Sequence, residues 1–151
     1  MSLILPNLWL GDINGCHDLD FLVSRKITHV LTALEGPFST PELVVAQVHH
    51  MNVVLLDCER ERISDVFERT TEFIRSALLT GGSVYVHCMM GMSRSPTLVA
   101  AYLITEKGMT DEEALNYLQS VRPIVDPNDG FRRALSELYW SAAKGTGKKS
   151  E

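Results

Sequence analysis

At 151 residues, with 45% hydrophobic and 22% charged side chains, the chain has material for one compact domain with a real core and no room for a second. A net charge of −5 argues against nucleic acid or an anionic membrane as the main partner; three cysteines imply no disulfide framework and a reducing compartment, cytosolic or nuclear. The apolar runs are too short for a signal peptide or a spanning helix, and Met1-Ser2 lacks the glycine that myristoylation requires.

The first apolar segment, Ile4 to Gly11, holds a short strand signal broken by Pro6-Asn7. A helical stretch follows around His17 to Arg25. Thr28 to Leu34 then reads as a buried strand, with His29 as a satisfied core histidine. Glu35 to Glu42, with Gly36, Pro37 and Pro41, reads as a surface loop at the rim of the site, and Val44 to Leu56 supplies strand material. His49 and His50 are neighbours in that strand and fall on opposite faces, so they do not readily share a metal; no cluster in the chain has metal-ligand spacing. After Asp57 and the charged run Cys58 to Arg62, apolar residues at Ile63, Val66, Phe67, Phe73, Ile74, Ala77 and Leu78 mark a helix with one buried face, which Gly81-Gly82 stops.

The rest of the chain is organised around Val84 to Thr97. An apolar β-branched run leads into Cys88, a short loop holding Gly91 follows, and helix formers open after Ser93, so the stretch reads as strand, tight loop, helix. In that arrangement the amides of Met89, Met90, Gly91, Met92, Ser93 and Arg94 and the helix N-terminus converge on one point and make an anion site. A cysteine at the base of such a site favours its thiolate, so Cys88 reads as a nucleophile. Arg94 closes the loop with a planar fork of donors suited to two oxygens of a phosphoryl group. Thiolate and guanidinium around one phosphate make a covalent phosphoryl-transfer site, with no metal and no cofactor.

The run His87-Cys88-Met89-Met90-Gly91-Met92-Ser93-Arg94-Ser95 resembles the H-C-x-x-G-x-x-R-S signature of the cysteine-dependent protein tyrosine phosphatases. The opening Pro6-Asn7-Leu8-Trp9-Leu10-Gly11 turn and the Ile27-Thr28-His29-Val30-Leu31 strand are similar to the small, atypical dual-specificity branch. That resemblance implies an acid at the end of the strand preceding the amphipathic helix, about thirty residues before the cysteine. Asp57, 31 positions before Cys88, fits, and a carboxylic acid there can protonate the departing oxygen. Glu59 and Glu61 are nearby substitutes in what reads as a solvated run. The resemblance further implies that Ser95 stabilises the sulfur as a leaving group, and that His87 and Asn128 support the loop.

Beyond the signature, Pro96 to Lys107 reads as a buried helix ended by Gly108. Thr110-Asp111-Glu112-Glu113 is a capping box that opens another helix, and a last helix runs from Asp129 to about Ala142. The segment Arg122-Pro123-Ile124-Val125-Asp126-Pro127-Asn128, followed by Gly130-Phe131, is also similar to the family. Asp126-Pro127 resembles the acid pair of the low-molecular-weight phosphatases, but the late position of Cys88 is unlike them, so Asp126 reads as an N-cap with Pro127 at the first helical position. The expected fold is α/β: a single domain over 1–143 with a central mixed, mostly parallel sheet of about five strands flanked by helices, then a disordered tail over 144–151.

Function is expected to be hydrolysis of phosphotyrosine and phosphoserine or phosphothreonine in proteins. The partner is a phosphorylated protein, with neither nucleic acid nor membrane expected. The alternatives are a phosphoprotein-binding pseudophosphatase, or a phosphatase for RNA 5′-phosphates or phosphoinositides. Met89 and Met90 stand where phosphoinositide enzymes carry lysines, and the acidic chain offers no basic groove for RNA. Cys58, one residue from Asp57, is a candidate redox partner for Cys88.

Overall fold

Asn7 takes the left-handed backbone conformation, φ 68°, which asparagine tolerates better than most residues, and so turns the chain back on itself. Strand β1 (Ser2–Leu5) thereby lies antiparallel to β2 (Leu8–Gly11). The structure, a computed structural model, describes residues 1–150, with side chains as far as Lys144.

After β2 a 3₁₀ turn spans Ile13–His17, and α1 (Leu19–Ser24) starts where the Asp18 carboxylate accepts from the Phe21 amide. Strand β3 (His29–Leu34), helix α2 (Pro41–Val45) and strand β4 (His49–Val54) follow. A 3₁₀ turn at Ile63–Val66 leads into α3 (Phe67–Leu79), and strand β5 (Val84–His87) feeds α4 (Arg94–Lys107). Helices α5 (Asp111–Val121) and α6 (Asp129–Ser150) complete the domain. The five strands lie in the order β1-β2-β5-β3-β4, antiparallel at β1-β2 and parallel elsewhere, so the sheet is mixed and mostly parallel as its sequence implies.

Strand alternation divides the core. Val84 and Val86 of β5 face the larger cluster with Leu31, Ala33 and Val53, under the helices α3 to α6. Tyr85 faces a smaller cluster with Val30, Phe21, Leu22 and Leu43, under α1 and α2. Helix α4 is buried from Arg94 to Ile104, which accounts for its nearly unbroken apolar run. Gly108 ends it with φ 70°, and Thr110 and Glu113 form both halves of the capping box of α5.

Three sequence expectations change. Val44 and Val45 belong to α2 rather than to a strand, because Thr40 caps the Leu43 amide and Pro41 occupies the first turn, which together start a helix. His29 is half-buried rather than in the core; it bonds the Thr28 hydroxyl at 2.7 Å and rests its ring on His49 and Phe73. Asp126 does not cap α6. The Asn128 side chain accepts from the Phe131 amide at 2.9 Å, and Asp126 instead pairs with Arg132 at 2.8 Å. The expectation of a disordered tail over 144–151 falls on residues outside the described side chains apart from Lys144.

Candidate active site

Cys88 follows directly on β5 and is 3% exposed, packed into the larger core at the C-terminal end of the parallel strands. The loop that leaves it turns at Gly91, φ 68°, where a Cβ would stand 2.6 Å from the Gly11 carbonyl oxygen and 2.7 Å from Arg122 Nη2. Both the backbone conformation and the close approach therefore demand glycine at this position.

The loop's carbonyls are tied to the outside. Met89 O accepts from the Ile13 amide at 3.1 Å, Met90 O and Gly91 O accept from Arg122 Nη2 and Nε at 3.0 Å each, and Met92 O accepts from the Asp126 amide at 2.8 Å. Within one planar trans peptide the N–H points opposite to the C=O, so four outward carbonyls turn the following four amides inward. Sequence reasoning assigns Arg122 no role beyond its place in the Arg122-Pro123 segment. Its signal was its place directly after a helix and before a proline, facing a loop whose carbonyls need donors.

Arg94 and Ser95 begin α4 beneath the same loop. Ser95 Oγ donates to Cys88 Sγ at 3.1 Å. Arg94 is 8% exposed; its Nη1 donates to the Leu55 carbonyl at 3.0 Å, while its Nε is buried with no hydrogen-bond partner among the described residues. A buried, unpaired guanidinium donor is costly unless an anion accepts from it, and this one sits at the loop. Ser93 Oγ accepts from the Asn128 amide at 3.1 Å, which ties the loop to the start of α6. Met89 and Met90, in the loop itself, are about half exposed.

Asp57 lies in the exposed segment after β4, and its carboxylate accepts from Asn128 Nδ2 at 3.0 Å. Asn128 thus joins three things, since its Oδ1 caps α6 and its amide holds Ser93. Gly130 allows the segment to rest there, because a Cβ at that position would stand 2.2 Å from the Glu59 carbonyl oxygen. Glu61, one of the substitutes for Asp57, is occupied locally: its carboxylate accepts from the Leu56 and Arg62 amides at 2.7 and 3.1 Å.

His87 points to the opposite face of β5 from Cys88. It is fully buried, with Nδ1 3.0 Å from the Cys88 carbonyl oxygen and Nε2 2.7 Å from Thr32 Oγ1; burial pushes its pKa down to about 4. Among the described residues, no group of three His, Cys, Asp or Glu side chains is placed to hold a metal ion.

A thiol under inward amides, with a half-satisfied arginine at the start of the next helix, defines a cysteine-based phosphate site on an α/β sheet. The chain belongs to the dual specificity phosphatase family, whose catalytic domain matches residues 8–140. It is 36% identical over 141 residues to dual specificity protein phosphatase 15 of Mus musculus, covering 93% of this chain and 58% of that protein. With dual specificity protein phosphatase 1 of Arabidopsis thaliana it shares 37% identity over 139 residues, 91% of this chain and 68% of the relative. The crystal structure of DUSP15 superposes with a TM-score of 0.89 at 32% identity, covering 99% of this chain and 93% of the other. The chain spans between about half and three-fifths of the length of the mammalian relatives of that name.

Proposed function

We propose that the chain is a protein phosphatase that hydrolyses phosphotyrosine and phosphoserine or phosphothreonine through a phosphocysteine intermediate. The observation that carries this reading is the contact of Ser95 Oγ with Cys88 Sγ beneath a loop whose carbonyls from Met89 to Met92 are engaged from outside. The hydroxyl and the inward amides stabilise negative charge on sulfur in the free enzyme and on the equatorial oxygens of the transferring phosphoryl group.

In the first step Cys88 Sγ attacks phosphorus in line, Arg94 and the loop amides hold the three equatorial oxygens, and Asp57 gives its proton to the departing side-chain oxygen. In the second, Asp57 takes a proton from water as the water attacks the phosphocysteine, and Ser95 donates to the sulfur that leaves. The Asn128 Nδ2 hydrogen bond supports Asp57 in that role. No step needs a metal or a cofactor. The half-exposed Met89 and Met90 are apolar and adaptable, which suits a side chain presented by a protein better than a polyphosphorylated lipid headgroup. The cytosol or nucleus is the compartment that keeps a thiol nucleophile reduced.

The test is turnover of purified protein on phosphotyrosine and phosphothreonine peptides, a phosphoinositide and a 5′-triphosphorylated RNA. Release of phosphate from the peptides is expected. Tight peptide binding with no release would replace this reading with a phosphoprotein-binding one.

A further inference from the structure

Burial leaves the His87 ring uncharged at neutral pH, with hydrogen on one nitrogen, and the direction of each hydrogen bond around it then follows. Nδ1 faces the Cys88 carbonyl oxygen at 3.0 Å, and a carbonyl accepts, so Nδ1 carries the hydrogen. Nε2 is therefore an acceptor, and the Thr32 hydroxyl, 2.7 Å away, donates to it. The hydroxyl's one hydrogen is thereby used. Thr32 Oγ1 must accept from its other neighbour, His50 Nε2, also at 2.7 Å.

From this ordered chain we infer that His50 is a positioning residue for Cys88: its Nε2–H turns the Thr32 hydroxyl toward His87 Nε2, which reinforces the Nδ1–H tautomer that holds the Cys88 carbonyl.

The sheet register builds the chain. Thr32 of β3 stands opposite His87 of β5, and His50 of β4 stands opposite Val30, two residues from Thr32 and so on the same face. Tyr85 stacks on the His87 ring at 5.7 Å and 9°, and Phe38 packs against it at 5.4 Å, so the ring plane is set and water is kept away. His50 is half-buried at the outer end, next to Ser39, Leu43 and Val48. Its Nε2–H donates whether or not Nδ1 is protonated, so the chain survives titration of His50 itself.

The consequence lies on the far face of β5. The Cys88 carbonyl is the last polar group before the loop turns, and its oxygen carries partial negative charge. Bonded to His87 it is held on the sheet face away from Sγ; turned toward the sulfur it would oppose the thiolate.

The rate consequence rests on the phosphatase reading above, whereas the tautomer does not. Two readouts on the full chain separate them. The nitrogen-15 shifts of His87 are expected to show the Nδ1–H tautomer in wild type and a mixture in His50→Phe, which keeps a ring and removes the donor. The same variant is expected to lower kcat about three- to tenfold with KM unchanged, the loss of one hydrogen bond acting on the reacting step. His50→Gln, whose side-chain amide N–H can reach Thr32, is expected to recover most of that loss and the wild-type tautomer. An Nε2–H tautomer in wild type, or equal behaviour of His50→Phe and His50→Gln in both readouts, would overturn the inference. Wild type without turnover would count against the phosphatase reading, and the nitrogen-15 arm would then decide this one.

Discussion

Cys88 and Asp57 are assigned to the two sides of one phosphate, yet the structure holds them by different means. Cys88 is buried and its sulfur accepts from the Ser95 hydroxyl; its loop is pinned at four carbonyls and at Ser93. Asp57 is exposed and accepts one side-chain hydrogen bond, from Asn128. A nucleophile that must stay ionised and in line needs a fixed, water-poor setting, whereas an acid that must give and then retake a proton needs contact with water and some play. The rigid side is over-determined, and among the described residues the acid side has one side-chain hydrogen bond.

Cys88→Ser cuts the rigid side at its centre. Turnover is expected to vanish while phosphopeptide binding persists, since amides and Arg94 remain; near wild-type turnover in that variant would break the comparison outright. Asp57→Asn cuts the other side. A loss of roughly a hundredfold is expected on phosphotyrosine peptide, shrinking with an ester whose leaving group needs little protonation. If Asp126→Asn shows that pattern and Asp57→Asn does not, the acid lies on the wrong loop.

Asn128→Ala sharpens the contrast, because it removes the side-chain hydrogen bond to Asp57 and also the cap of α6. We expect about a tenfold loss in kcat, and the double variant with Asp57→Asn should be no slower than Asp57→Asn alone, the non-additivity of two groups acting as a unit. Multiplied losses would show that Asn128 acts through the loop and not through Asp57.

A further effect, on stability rather than on rate, belongs to the rigid side. The His87 pKa falls from 6.5 to about 4 because burial penalises the imidazolium. Below about pH 6.5 the unfolded chain takes up a proton that the folded chain refuses, so stability drops as pH falls from about 6.5 to about 4, by roughly 3 kcal/mol in all. Denaturant melts across that window should show the slope, and His87→Gln should flatten it. Half-buried His29 and His50, also lowered by burial, add in the same direction.

How much could be read in the sequence follows the same division. The nucleophile loop is local: strand, cysteine, glycine with positive φ, arginine and helix lie within eleven residues, so pattern and backbone chemistry reveal it. The mixed sheet and the capping box of α5 were legible for the same reason. What supports the loop comes from far along the chain. Arg122 reaches back 31 and 32 residues to the Gly91 and Met90 carbonyls, and Asn128 reaches 71 residues to Asp57, contacts that no local period encodes. The cap of α6 was misplaced at Asp126 because Asp-Pro and Pro-Asn both suit a helix start, and the Phe131 amide selects the second. Thr32 and His50 read as ordinary strand residues, since register between β3, β4 and β5 is what brings them to His87.

The central claim is that phosphate passes through Cys88. Acid quench of the enzyme within one turnover on a phosphotyrosine peptide, followed by mass spectrometry of the Cys88 peptide, tests it most directly. The account predicts phosphate on Cys88 that accumulates in Asp57→Asn on a substrate with an activated leaving group, because only the second step then lacks its base. Phosphate release at full rate with an unmodified Cys88 peptide at every time point would contradict it.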